Sequence, residues 1–258
     1  MNDATRLEAL LKRDRAVVAA GLFLLTVLAW WYLFDMAEDM AVMDMSSSMM
    51  QAWGWADLLM LFVMWAIMMV GMMIPSAAPL ILTFATINRK KFEQSGRMVS
   101  TFVFVSGYLL VWTVFSGVAA TAQWGLHTLA LLSSMMVSQS PLLNGILLIA
   151  AGIYQWAPLK RTCLEHCQSP LSFIMGHWRE GVGGALRMGW EHGLYCLGCC
   201  WVLMLLLFVM GVMNLVWVGL IAAFVLLEKI LPIGLWMSRA TGILLIVWGL
   251  WLARAIAG

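Results

Sequence analysis

Long apolar runs recur along this chain, and they constrain its fold more than any other feature. A helix needs about 20 apolar residues to cross the hydrocarbon core of a bilayer. The sequence predicts a helical span from each of seven runs: 16–34, 58–86, 99–121, 142–158, 192–213, 215–227 and 240–256. Because lipid offers no hydrogen-bond partners, a crossing backbone must close its own bonds as a helix. We therefore predict an all-α, polytopic transmembrane helical bundle.

The run at 215–227 is short and is followed at once by Glu228 and Lys229. If it joins the apolar residues beyond this pair, the bundle has six spans; otherwise it has seven, which we prefer. Hydrophobic residues make up 63% of the chain and charged residues 11%, a balance that excludes an ordinary soluble domain. With no internal repeat or linker, residues 1–258 are predicted to form a single membrane domain.

The basic residues predict the orientation of these spans. Of the 15 Lys and Arg residues, all but Arg254 fall on one side of the predicted bundle. Short basic loops stay in the cytoplasm, so we predict a cytoplasmic N-terminus at 1–15, a cytoplasmic loop at 159–190 and an external loop at 35–57. Residues 16–34 lack a small-residue cleavage site, so we interpret them as a retained anchor. Topology accounts for the basic residues and leaves no nucleic-acid signal.

The soft, ionisable side chains are gathered in one window, residues 163–201. It holds all 5 cysteines and three of the 4 histidines. Cytoplasmic thiols are kept reduced, and an odd cysteine count argues against a disulfide framework. The predicted metal ligands are Cys163, His166, Cys167, His177, His192, Cys196, Cys199 and Cys200.

Helical spacing arranges these side chains on two faces. Cys163, His166 and Cys167 are spaced i, i+3 and i+4, and the same periodicity relates His192 to the cysteines that follow it. Thiolate and imidazole suit Cu(I) and Zn(II). If the two helices approach, their ligands converge on one site. A single buried cysteine is more often packing, but five with interleaved histidines favour metal or redox chemistry.

Two further features of the window have open alternatives. Cys196 and Cys199 form a C-x-x-C, which serves disulfide exchange in thioredoxin-like folds, but no strand pattern surrounds them. Two acidic residues are predicted to support the site: Glu191 by orienting His192, and Glu228 as an ionisable group at membrane depth. Glu228 also fits a plain turn at the cytoplasmic surface.

Methionine is the second soft donor, with 22 residues, many of them between 36 and 73. A predicted metal path runs from the external loop into the second span: Met36, Met40, Met43, Met45, Met60, Met64, Met68 and Met72. Thioethers select Cu(I), but methionine is also a flexible packing residue, and a methionine stripe in a membrane helix is more often packing than a conduit. Pro75 and Pro79 predict a kinked or opened helix whose freed carbonyls need partners.

Three stretches of sequence carry a resemblance. "GMMIPSAAPLIL", "AGIYQWAPLKRTCLEHCQSPLSFIMGHWREG" and "GALRMGWEHGLYCLGCCWVLMLLLFVMGVMNLVWV" closely resemble a family of bacterial integral membrane proteins described as metal-binding and sometimes labelled copper chaperones. The resemblance covers roughly residues 55–251. It implies a metal-binding protein of the bacterial inner membrane and maps the family's motif onto the eight Cys and His residues named above.

The sequence thus predicts a membrane protein that binds soft transition-metal ions, foremost Cu(I) and secondarily zinc, for copper transport, storage or delivery. Its predicted partners are the lipid bilayer and a membrane or periplasmic metalloenzyme or metallochaperone. One alternative is a membrane thiol-disulfide oxidoreductase, with Cys163 and Cys167 as a second pair. Another is a metal-containing oxidase subunit, which the scarcity of intramembrane histidines disfavours. No enzymatic reaction is assigned.

Overall fold

The computed structural model describes residues 3–44, 54–95, 100–129 and 141–257, with side chains for 15–39, 54–91, 100–129 and 141–254. This part of the chain is helical, without strands. Its helices are α1 (Asp3–Asp44), α2 (Trp55–Ser95), α3 (Thr101–Thr128), α4 (Pro141–Tyr154), α5 (Pro158–Gln168), α6 (Pro170–His177), α7 (Gly181–Leu205), α8 (Leu207–Met210), α9 (Leu215–Ile230) and α10 (Gly234–Ala257). The predicted all-α class is confirmed, and a helical bundle fits.

Five segments of the described chain are long and apolar enough to cross a membrane. They are Arg15–Asp39, Trp55–Lys91, Thr101–Thr128, Gly181–Met210 and Gly234–Arg254. Helices α4 and α5 together would make a sixth crossing, bent by 62° at their junction. Helix α9 has 16 residues and is therefore about 24 Å long, shorter than a hydrocarbon core of about 30 Å. The structure therefore supports five or six crossings, and the seventh stays a prediction.

Proline residues and capping side chains determine several helix ends, which hydropathy alone does not predict. Pro158 and Pro170 begin α5 and α6, where the missing N–H of proline costs no hydrogen bond. Ser100 and Asn214 cap α3 and α9 by accepting from backbone N–H groups. As a result the segment 159–190, predicted as a loop, contains two short helices and the first turns of α7. Residues 35–44 of the predicted external loop continue α1.

Helix α2 runs without interruption through Pro75 and Pro79. Pro75 cannot donate to the carbonyl of Gly71, and the indole Nε1 of Trp30 on α1 donates to that oxygen instead, at 3.3 Å. The expectation that a freed carbonyl finds a partner inside the bundle is thus met at this position. Farther along, Trp65 Nε1 donates to Gln123 Oε1 at 2.6 Å and ties α2 to α3.

Glycines allow α3 and α7 to pack backbone against backbone. A Cβ on Gly107 would overlap the carbonyl of Leu186, and one on Gly189 would overlap the carbonyl of Phe104. Small residues at a helix interface are typical of apolar bundles, in which close contact replaces the hydrophobic effect. This packing fixes α7, the helix that carries three of the cysteines, against α3.

Candidate metal site

All five cysteines are free and buried, and they meet across two helices. Cys163 and Cys167 project from α5, and the other three project from α7. The thiols of Cys167 and Cys199 are electrostatic neighbours across the two helices. Cys196, Cys199 and Cys200 are each fully buried, at 0% exposure. We call Cys163, Cys167, Cys196, Cys199 and Cys200 the thiol cluster.

Gly198 permits α5 and α7 to approach closely enough for this contact. A Cβ at Gly198 would lie 2.7 Å from Cys163 Sγ. The hydroxyl of Tyr154, at the end of α4, donates to the Gly198 carbonyl. The glycine of "CLGC" is therefore a contact residue, and the bend between α4 and α5 brings the two cysteine faces together.

The α7 thiols bond to their own helix and to α2. Cys199 Sγ and Cys200 Sγ both donate to the carbonyl of Cys196, at 3.1 and 2.9 Å. Cys200 Sγ also lies 4.0 Å from the thioether sulfur of Met73. A thioether from α2 thus borders the thiol cluster, although Met73 was not in the predicted metal path.

A buried lysine contacts the thiol cluster. Lys229 Nζ, on α9, lies 2.9 Å from Cys196 Sγ and 3.0 Å from Ser76 Oγ. The hydroxyl of Tyr108 lies 3.1 Å from the same sulfur and donates to the Met73 carbonyl at 3.2 Å. Lys229 is 6% exposed and Tyr108 is fully buried. Four helices, α2, α3, α7 and α9, therefore contribute to the surroundings of Cys196.

Glu228 forms a buried ion pair beside this lysine. Lys160 Nζ, on α5, lies 2.8 Å from one carboxylate oxygen and 3.1 Å from the other. Gln168 Nε2 donates to the Glu228 carbonyl at 2.8 Å. Of the two interpretations left open by the sequence, the structure favours a paired ionisable group inside the bundle over an exposed turn. The pair joins α5 to α9 next to the thiol cluster.

Glu191 is paired with arginines. Its Oε1 lies 3.3 Å from Arg179 Nη2 and 3.0 Å from Arg187 Nε. His192, the side chain that it was predicted to orient, is buried and stacks on Tyr108 with ring centroids 5.6 Å apart. Within the described side chains, His192 Nδ1 has no hydrogen-bond partner. The structure thus pairs Glu191 with arginines on the helix surface, and the buried imidazole of His192 lies against Tyr108, one helical turn before Cys196.

His166 and His177 lie apart from the thiols in an aromatic group. His166 stacks on Tyr195 with centroids 4.3 Å apart, and His177 stacks on Phe173 at 4.7 Å. Both are half-buried, and each Nδ1 pairs with the carbonyl four residues earlier. Their rings are 6.5 Å apart. Their assignment as metal ligands stays a prediction.

No three His, Cys, Asp or Glu side chains among the described residues are arranged to hold a metal ion. The arrangement instead offers neighbouring thiols from facing helices, bordered by the Met73 thioether at 4.0 Å from Cys200 Sγ. These donors are all soft or borderline, the class that Cu(I) prefers. Two facing thiols are fewer donors than the four ligands of a structural zinc site.

The methionines of the predicted path are placed differently along its length. Met60 is 66% exposed, whereas Met64, Met68 and Met72 are buried in the core. Met36 is half-buried on α1. The side chains of Met40 and Met43 lie outside the described set, and Met45 lies outside the described residues. A continuous external path stays a prediction, and the buried stripe is part of the packed core.

Besides Met73, the contact residues of the site that were not among the predicted site residues include Lys229, Lys160, Tyr108, Ser76 and Gly198. Lys229 had a sequence signal, since it adjoins Glu228 in an apolar region. The glycine inside a C-x-x-C could have signalled close helix packing. The other three become site residues through contacts between distant parts of the chain.

The fold and the site define an all-helical protein with several apolar helices of membrane-crossing length and a buried cluster of soft donors. The chain belongs to a family described as copper chaperone, whose family model matches residues 62–252. The match includes all five cysteines and excludes residues 35–57. No curated protein and no solved structure matches the chain.

Proposed function

We propose that this chain is an integral membrane protein that binds Cu(I) as cargo at the thiol cluster and delivers it to a metalloenzyme. One observation carries the proposal: free, buried cysteines from α5 and α7 meet, in a member of a copper chaperone family. Family membership supports copper, and the contact between the two cysteine faces supplies a place for it.

The donor chemistry supports transfer of a monovalent soft ion. Cys167 and Cys199 supply one thiolate from each helix, so a small separation of α5 from α7 changes the number of ligands. Met73 supplies a weaker neutral donor at the edge of the cluster, 4.0 Å from Cys200 Sγ. Burial excludes water and oxidants, which protects thiolates and Cu(I) alike.

Burial argues against the thiol-disulfide alternative. Disulfide exchange requires a thiolate to reach the sulfur of a substrate in a mixed disulfide. Cys196 and Cys199 are 0% exposed, and the Cys199 thiol is bonded to the backbone of its own turn. A protein substrate has no access to either sulfur in this conformation, so we prefer metal handling.

Metal analysis of the detergent-purified chain after anaerobic Cu(I) loading tests the proposal. We expect about one retained copper ion per chain, and loss of most of it in Cys167→Ser and in Cys199→Ser, because each removes one thiolate of the pair that faces across the helices. Met175→Ser, which exchanges sulfur for a hydroxyl at a 70% exposed residue, is the control and should retain copper. Copper-free wild-type protein, or full retention in both cysteine variants, would contradict the proposal.

The inner membrane, with the basic segments in the cytoplasm, is the proposed location. Two contacts support a common end for these segments. Lys91, at the end of α2, lies 4.3 Å from the ring of Trp178 before α7. Arg239 on α10 lies 5.7 Å from the ring of Trp156 between α4 and α5. The basic ends of α2 and α10 thus contact tryptophans that lie within the segment 159–190 or just before it, which supports a common side for these basic residues.

Labelling intact cells with a membrane-impermeant maleimide tests this orientation. We expect Trp55→Cys to be labelled and Arg161→Cys to be labelled only after permeabilisation, because the two exposed positions lie on opposite sides in the proposed topology. Wild-type protein, whose cysteines are buried, gives the background. Labelling of Arg161→Cys alone in intact cells would reverse the proposed orientation.

A further inference from the structure

Lys229 carries a buried positive charge whose described partners are a thiol and a hydroxyl. Its Nζ contacts Cys196 Sγ at 2.9 Å and Ser76 Oγ at 3.0 Å. The adjacent carboxylate, on Glu228, is engaged by Lys160 at 2.8 and 3.1 Å. The Lys160–Glu228 pair is neutral as a unit. The ammonium of Lys229 therefore contributes one positive charge to the surroundings of the thiol cluster.

The number of thiols that face a bound ion sets the rest of the charge. Cys167 and Cys199 are neighbours across the two helices, whereas the Cys196 sulfur is engaged by Lys229 and the Cys200 sulfur lies against Met73. No three His, Cys, Asp or Glu side chains of the described part converge as metal ligands. Two thiolates are thus the ligand set that the structure offers without rearrangement.

Metal binding removes the protons of the two coordinating thiols and places two negative charges in the cluster. A monovalent ion together with the Lys229 ammonium cancels both charges, and the site is neutral. A divalent ion in the same place leaves one positive charge in excess. Net charge is costly in a buried, apolar environment, so the neutral state is favoured. Without Lys229 the balance is reversed, because two thiolates neutralise a divalent ion.

We propose that Lys229 makes the thiol cluster selective for monovalent soft cations, such as Cu(I) and Ag(I), over divalent ions such as Zn(II). The residue acts on the ligands through charge and does not coordinate the ion. This inference rests on the proposed function, since it concerns the same cluster. It identifies Lys229 as a specificity-determining residue. A buried position on an apolar helix such as α9 would otherwise carry an apolar side chain.

Competitive binding of Ag(I) and Zn(II) to the full-length chain in detergent tests the inference. Wild-type protein is expected to prefer Ag(I), and Lys229→Met is expected to lower the ratio of Ag(I) to Zn(II) affinity by at least about tenfold. Lys229→Arg keeps the charge and should keep most of the preference. Ser76→Asp leaves the lysine in place but puts a carboxylate beside it, so it should lower the ratio in the same direction as Lys229→Met.

Arg161→Met removes a basic residue from the exposed side of α5 and is the matched control, with an unchanged ratio expected. An unchanged ratio in both Lys229→Met and Ser76→Asp, with metal still bound, would overturn the role of Lys229 and leave the proposed function standing. Failure of wild-type protein to bind either Ag(I) or Cu(I) would instead overturn the proposed function.

Discussion

Lys160→Met is expected to lower the free energy of unfolding by about 3–5 kcal/mol, because it leaves the Glu228 carboxylate buried without its counter-ion. Lys160 is 1% exposed and Glu228 is 0% exposed, so water cannot take the place of the ammonium. The pair also joins α5 to α9, and its loss releases the short helix that carries Cys163 and Cys167. Tryptophan fluorescence during titration from a mild detergent into dodecyl sulfate measures the change.

The neighbouring residue on α5 is the control for this experiment. Arg161 pairs with Glu165 at 2.8 Å, but the two side chains are 61% and 48% exposed. Exposed i, i+4 pairs contribute about 0.5 kcal/mol or less, so Arg161→Met should change stability little. The double variant Lys160→Met, Glu228→Leu should recover most of the loss, since it removes both charges. A loss as small for Lys160→Met as for Arg161→Met would show that the pair is not buried in the folded protein.

The two cysteine faces show what sequence periodicity can predict about the site and what it cannot. Spacing predicted that Cys163 and Cys167 share one helical face and that the α7 cysteines share another, and both segments are helical with these thiols buried. Periodicity describes each helix separately, so it could not predict that the faces meet. Their contact depends on the 62° bend after α4 and on the missing side chain of Gly198.

The charged residues near the thiol cluster show a second limit. The sequence marked Glu228 and Lys229 as unusual in an apolar region but gave no means of finding their partners. Lys160 is 68 residues from Glu228 in the chain, and Ser76 is 153 residues from Lys229. Such contacts arise from the tertiary arrangement of α2, α5 and α9. The residue pattern within a single helix does not predict that arrangement.

Span boundaries were predicted from apolar runs, and the differences have local causes. Helix α7 begins at Gly181, eleven positions before the predicted start at residue 192. Its first turns carry Arg187 and Glu191, which pair on the helix surface. A hydropathy window ends a span at such residues although the helix continues through them. Conversely, the fourth predicted span ends early, at Tyr154, and turns at Pro158 into α5.

Cys167→Ser and Cys199→Ser are each expected to weaken Cu(I) binding by at least about 100-fold. Loss of an outer-shell partner weakens metal binding by about 10- to 100-fold, and loss of a direct ligand should cost at least as much. Each variant leaves a single thiolate of the facing pair, and one thiolate cannot hold the ion between the helices. Cys163→Ser should have a smaller effect, less than about tenfold, because this thiol packs on Gly198 and is not in the Cys167–Cys199 contact.

Competition of the purified chain with a Cu(I) chelator of known affinity, applied to wild type, both single variants and the double variant Cys167→Ser, Cys199→Ser, tests the central claim most directly. If the two cysteines hold one ion between α5 and α7, the double variant should bind no more weakly than either single variant, because each change already destroys the shared site. Wild-type affinity in Cys167→Ser, or losses that add in the double variant, would contradict a single site formed by the two helices.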